Sequence, residues 1–130
     1  MSARRLGLGL GIVLLAAVLA GCDRGPSGEG DWRASIEGPG APFGSAVVLV
    51  SGDGVLEVTG DAGTRAWTHR DEQGELRAVL IQTEATGPVR FRVRVPDLGA
   101  PAPSVAIVEL ADMEDQLVQI SEEHQIQLTR

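Results

Sequence analysis

The chain has 130 residues, with 18 Asp and Glu against 11 Arg, no Lys, and a net charge of −7. This acidic balance argues against general nucleic-acid binding, which needs a basic surface to displace counterions, and against adhesion to anionic lipid by charge alone. The single cysteine rules out an internal disulfide and a cysteine-rich metal site.

The chain begins MSARR, with Arg4, Arg5 and no acid. Leu6 to Ala20 then carries no charge and no polar side chain over 15 residues. That length suits the apolar region of a signal peptide and falls short of the roughly 20 residues that span a bilayer. The run ends in Leu19-Ala20-Gly21-Cys22, which holds the one cysteine. This stretch resembles the lipobox of bacterial lipoproteins. The resemblance implies a diacylglyceryl thioether on Cys22 and cleavage before it, so that residues 1–21 are a signal peptide. One acyl chain binds a membrane only marginally and two bind stably, so such a group is a sufficient anchor. The expected location is the cell membrane, facing the periplasm or the exterior. From Cys22 onward there are 18 acids and nine arginines, a net charge of −9.

Residues 22–30 read as the lipidated cysteine and a tether, since Asp23 to Gly30 has three glycines, a proline and no apolar side chain. Eight such residues span roughly 15 Å on average and at most about 28 Å. Residues 31–130 are enough for one domain with a single core.

Strand patterns fill that domain. Trp32–Glu37 alternates. Ala46–Val50 is a continuous apolar run and predicts a strand buried on both faces. Ser51-Gly52-Asp53-Gly54 predicts a hairpin turn into Val55–Thr59. Further strands are expected at Arg65–His69, Leu76–Gln82, Val89–Val95, Ser104–Leu110 and Gln125–Thr129. Between 110 and 120 the apolar residues fall at helical spacing. The all-β surroundings favour a turn and a short strand near Leu117–Ile120 instead. The expected fold is all-β, a single mostly antiparallel β-sandwich of jelly-roll or Ig-like type with about seven to nine strands. In the clearest strand, Val89, Phe91, Val93 and Val95 should face the core and Arg90, Arg92 and Arg94 should face out.

Catalytic signatures are lacking: there is no G-x-S-x-G, no H-E-x-x-H and no glycine-rich phosphate loop. His69 and His124 stand 55 residues apart and read as solvated side chains. The chain is therefore read as non-enzymatic and as needing no cofactor. Asp112, Glu114 and Asp115, like Asp53 and Asp61, lack the spacing of a calcium loop, so no metal site is expected. Arg90, Arg92 and Arg94 share a face at about 7 Å intervals and could grip carboxylates or sulfates. The simpler reading pairs them with the domain's own acids across the sheet. Arg65, Trp67 and His69 share another face. Exposed, that face would be a platform for a sugar ring or a protein; with only two Trp and two Phe available, burial of Trp67 in the core is the expectation.

The succession of Ala46–Val50, Val55–Val58, the PVRFRVRV strand at Pro88–Val95 and the SVAIVELAD strand at Ser104–Asp112 resembles a cohesin-type sandwich, and in layout carbohydrate-binding modules. The resemblance spans about 95 residues and implies a non-catalytic binding role. It carries no residue across, and the absence of tyrosine departs from common sugar platforms. The expected function is a lipid-anchored binding module of the bacterial envelope, its partners the membrane through Cys22 and a protein or an envelope glycan, with no nucleic acid. The alternatives are a carbohydrate-binding module using Trp67 or Trp32, and a small metal-dependent accessory protein or enzyme.

Overall fold

The structure, a computed structural model, describes residues 27–52, 54–84 and 87–130. The expected signal peptide, Cys22 and Asp53 lie outside the described residues. Nine strands follow in chain order: β1 (Gly30–Glu37), β2 (Phe43–Ser51), β3 (Glu57–Asp61), β4 (Thr64–Arg70), β5 (Leu76–Gln82), β6 (Arg90–Val95), β7 (Ser104–Asp112), β8 (Leu117–Val118) and β9 (Gln125–Thr129). They form two antiparallel sheets, a four-stranded one in the order β3-β6-β1-β9 and a five-stranded one in the order β4-β5-β2-β7-β8. The fold is an all-β sandwich.

The core follows from period-two alternation. On β6, Phe91 and Val93 are fully buried and Val95 nearly so, with Val89 buried just before the strand; Arg90, Arg92 and Arg94 point the other way. On β5, Leu76, Ala78, Leu80 and Gln82 point inward and Arg77, Val79 and Ile81 outward. Phe43, Val48, Val50 and Leu110 meet them from β2 and β7. The segment after β7 is a turn followed by β8, which pairs with β7 through Leu110↔Val118 and Ala111↔Leu117. The helical spacing there is incidental.

Three expectations are corrected. First, β2 is not buried on both faces. Ala46, Val48 and Val50 are buried, whereas Val47 and Leu49 are half-buried on an outer face that no element among the described residues covers. Second, β2 and β3 do not form a hairpin. β2 pairs with β5 and β7, and β3 pairs with β6, so the connection after Ser51 carries the chain from one sheet to the other. Val55 and Val58 enter the shared core by this route. Third, the tether is shorter than its composition suggests. Leu98 N–H donates to the Gly28 carbonyl at 2.8 Å, Gly28 N–H donates to Asp97 Oδ1 at 3.1 Å, and Glu29 pairs with Arg94 at 2.8 Å. The chain is thus held to the sandwich from Gly28 onward.

A second sheet-to-sheet crossing joins β3 to β4. Ala62 and Gly63 both take positive φ there, and a Cβ on Gly60 would collide with the Thr64 carbonyl, so only glycine lets the two backbones approach so closely. Thr64 Oγ1 donates to Gln82 Oε1 at 2.7 Å in the buried interior and accepts from Arg90 N–H at 3.3 Å, stitching the two sheets together.

Candidate functional site

The two outer faces of the sandwich differ in chemistry, and each holds one of the residue groups singled out above. The outer face of the four-stranded sheet is polar. Arg92 pairs with Asp61 at 3.2 Å; Arg94 pairs with Glu29 at 2.8 Å and Asp31 at 3.6 Å. The hydrogen bond to Glu29 and the nearby carboxylates raise the pKa of Arg94. For these two arginines the simpler reading, pairing with the domain's own acids, describes the geometry. Arg90 has no ion-pair partner among the described residues. It lines a shallow groove of about 250 Å³ with Arg33, Ser35, Asp61, Gln127 and Thr129. Arg33 stands directly across from Arg92, a like-charge juxtaposition that an anionic group in the groove would relieve.

The outer face of the five-stranded sheet is apolar at its centre. Cross-strand register sets Trp67 beside Val79, Val79 beside Val47, and Arg65 beside Ile81. Trp67 is 53 % exposed, Ile81 40 %, Val79 37 % and Leu117 74 %. A bulge in the β2–β7 pairing between Val47 and Val48 leaves Val108 as the extra residue, also exposed. Around this centre sit Arg65, His69 and Arg77 toward one edge and Glu109 toward the other.

The expected burial of Trp67 is thereby corrected. Alternation ties Trp67 to Arg65 and His69. Turning Trp67 inward would bury a guanidinium and an imidazole without partners, at several kcal/mol or more. Thr64 and Ala66 face inward instead, and the structure brings Arg65, Trp67 and His69 together on one open surface. Trp32, the other proposed sugar platform, is only 7 % exposed and packs in the core, with the Arg130 guanidinium 4.9 Å from its ring centre.

His124 is no merely solvated side chain. Its Nδ1 accepts from Ser121 N–H at 3.0 Å and its Nε2 lies 2.8 Å from the Pro39 carbonyl, so the ring carries its proton on Nε2 and donates it there. It also packs on Phe43 with ring centres 5.9 Å apart, joining the β1–β2 and β8–β9 loops. His69 lies on the outer face of β4, away from that junction. The Asp112 carboxylate accepts from the backbone N–H of Glu114 and Gln116, both at 2.9 Å, and so shapes the β7–β8 turn. Among the described residues no group of three His, Cys, Asp or Glu side chains could hold a metal ion.

Sequence reasoning missed Val47, Leu49, Val79, Ile81, Val108 and Leu117 as members of a surface. The signal was present in β5, where apolar residues occupy both faces of the strand. Such a pattern reads as full burial until the strand is known to lie in an uncovered sheet. The chain matches no protein-family model, no curated protein and no solved structure.

Proposed function

We propose that this chain is a lipid-anchored, non-catalytic binding module of the bacterial envelope, tethered through Cys22, that docks a protein through the outer face of its five-stranded sheet. One observation carries the reading: Trp67, Val79, Ile81, Val108 and Leu117 form an exposed apolar centre with charged side chains around it. Monomeric proteins rarely leave large contiguous apolar patches open, and an aromatic anchor inside a polar rim is the composition of an interface. Among the described residues, no strand of the four-stranded sheet carries an exposed large hydrophobic side chain, and two of its outward arginines, Arg92 and Arg94, pair with its own acids. The anchor rests on the LAGC stretch at Leu19–Cys22 and the basic, apolar segment before it. The resemblance to cohesin-type sandwiches supports the same non-catalytic role.

A photo-crosslinking side chain placed at Trp67 of the full chain, in native membranes, tests this directly. The expected result is a discrete protein adduct from position 67 and none from position 92 on the opposite sheet. Adducts from 92 alone, or from neither position, would overturn the reading.

The exposure of Trp67 beside Arg65 and His69 also favours a second reading, a platform for an envelope glycan. A glycan array bound by the wild-type chain and not by Trp67→Ala would replace the first reading with this one.

A further inference from the structure

From Cys22 onward the chain has 18 acids and nine arginines, yet on the outer face of the four-stranded sheet three arginines share one acid. The strand registers set that face out in rows. One row runs Thr59, Arg92, Arg33 and Thr129 across β3, β6, β1 and β9. The next runs Asp61, Arg90, Ser35 and Gln127. Directly opposed side chains start about 5 Å apart and diagonal ones about 7–8 Å apart, so Arg33, Arg90 and Arg92 can reach one common ion.

The domain's own acids leave these cations uncompensated. Asp61 pairs with Arg92 at 3.2 Å. Glu29 and Asp31 are held by Arg94 one row further along, where Glu57 also stands. Glu37 accepts from Gln127 at 3.0 Å, and Glu84 lies against Gly63 in the β3–β4 turn. The guanidiniums of Arg33 and Arg90 have no hydrogen-bond or ion-pair partner among the described residues. Arg92 Nε is shut off from solvent and lacks an acceptor as well. Three guanidiniums against one carboxylate leave an excess of 3 − 1 = 2 positive charges. Setting Arg33 opposite Arg92 is destabilising, and no side chain of the two rows offsets it.

We propose that this groove binds a phosphate dianion, either free or as the monoester of a small molecule. A phosphate monoester carries about two negative charges near neutral pH, which matches the excess. A carboxylate would neutralise only one of the two. Guanidinium forks take phosphate oxygens in pairs, and Arg33 and Arg90 present two forks with nothing else to hold. The hydroxyls of Ser35 and Thr129 line the same groove and can donate to the remaining oxygens or to an attached polyol. Its volume of about 250 Å³ falls below the roughly 300–1,000 Å³ of sites for drug-sized ligands, so the occupant is small. The groove lies on the sheet opposite the apolar face, and the proposal does not depend on the reading of that face.

The test is calorimetric titration of the full chain in a non-ionic detergent. It is done at about pH 8, where the phosphate group is fully ionised, with ionic strength held constant by sodium chloride. The probes are inorganic phosphate, glycerol 3-phosphate and acetate. Both phosphates should bind and acetate should not. Tighter binding of glycerol 3-phosphate assigns the site to an ester, and tighter binding of inorganic phosphate assigns it to the free ion. Arg33→Gln and Arg90→Gln should each weaken phosphate binding by tenfold or more, the loss expected for one charge-assisted contact. Arg94→Gln, one row away and paired with its own acids, should leave it unchanged. In phosphate-free buffer Arg33→Gln should unfold at the wild-type temperature or above, because it removes the opposition to Arg92; an arginine retained for stability would lower it. Should Arg33→Gln fail to fold, Arg90→Gln, which stands opposite Ser35, carries the comparison. Absence of phosphate binding overturns the proposal, as does acetate binding as tightly as phosphate. Phosphate binding that survives both Arg33→Gln and Arg90→Gln, or that falls equally in Arg94→Gln, overturns it too.

Discussion

At the scale of single residues, the sharpest contrast lies on β6. Phe91 is fully buried between the sheets, whereas Arg92 faces out and pairs with Asp61 across a partly solvated surface. Phe91→Ala should cost about 3–5 kcal/mol through lost transfer energy and a residual cavity. Arg92→Gln should cost under about 1 kcal/mol, because solvent screens its ion pair. Urea unfolding of the two variants checks both values, and the reverse order would mean that the register of β6 is off by one residue. The buried Thr64–Gln82 pair gives a second expectation. Thr64→Val keeps the shape but removes a hydroxyl that donates to Gln82 and accepts from Arg90 N–H. It should lower stability by about 1–3 kcal/mol in the same measurement, the cost of buried polar groups left short of a partner.

Individual strands show how far the sequence could be read. Alternation on β6 identified its inward and outward residues because valine and arginine differ so strongly in the cost of burial. On β5 the sequence indicated a strand but not its inward face, because the outward Val79 and Ile81 are as apolar as the inward Leu76 and Leu80. The reading failed for Trp67, where counting scarce aromatics suggested burial while the neighbouring Arg65 and His69 required the opposite. Which sheet a strand joins was also hidden. A glycine-rich turn at 51–54 reads the same whether the chain folds back beside itself or crosses to the facing sheet; pairing partners many residues away decide the outcome. The exposed apolar face was illegible for a related reason, since residues such as Val79 and Ile81 are hydrophobic whether another layer covers them or not.

The loop after β6 carries its own prediction. Asp97 accepts backbone hydrogen bonds from Gly99 and Gly28, and these hold its carboxyl below the ordinary aspartate range. Its folded-state pKa is therefore depressed. The clasp on the N-terminal segment is fully present above the ordinary carboxylate pKa and is lost as pH falls through the lower, folded-state value. The protection of the Gly28 amide, its exchange rate relative to an unstructured peptide at the same pH, should fall as the solution is acidified through that window. Asp97→Asn should remove this acid-dependent step from the protection of Gly28, whereas an unchanged pH profile of protection in that variant would remove Asp97 from the clasp.

At the scale of the whole molecule, the proposed lipid anchor at Cys22 precedes a sandwich with one polar and one apolar outer face. Replacing Cys22 with Ala should abolish metabolic incorporation of an acyl probe and leave an uncleaved precursor; labelling that persists would contradict the anchor. The central claim is that the apolar face is covered by protein in the envelope. Hydroxyl-radical footprinting of the full chain, in native membranes and after dilution in detergent, reads this most directly. Trp67 and Leu117 should be protected in the membrane and oxidised after dilution, while Arg90 on the opposite sheet should react equally in both states. Equal oxidation of Trp67 in both states, or protection confined to the arginine face, would contradict the claim.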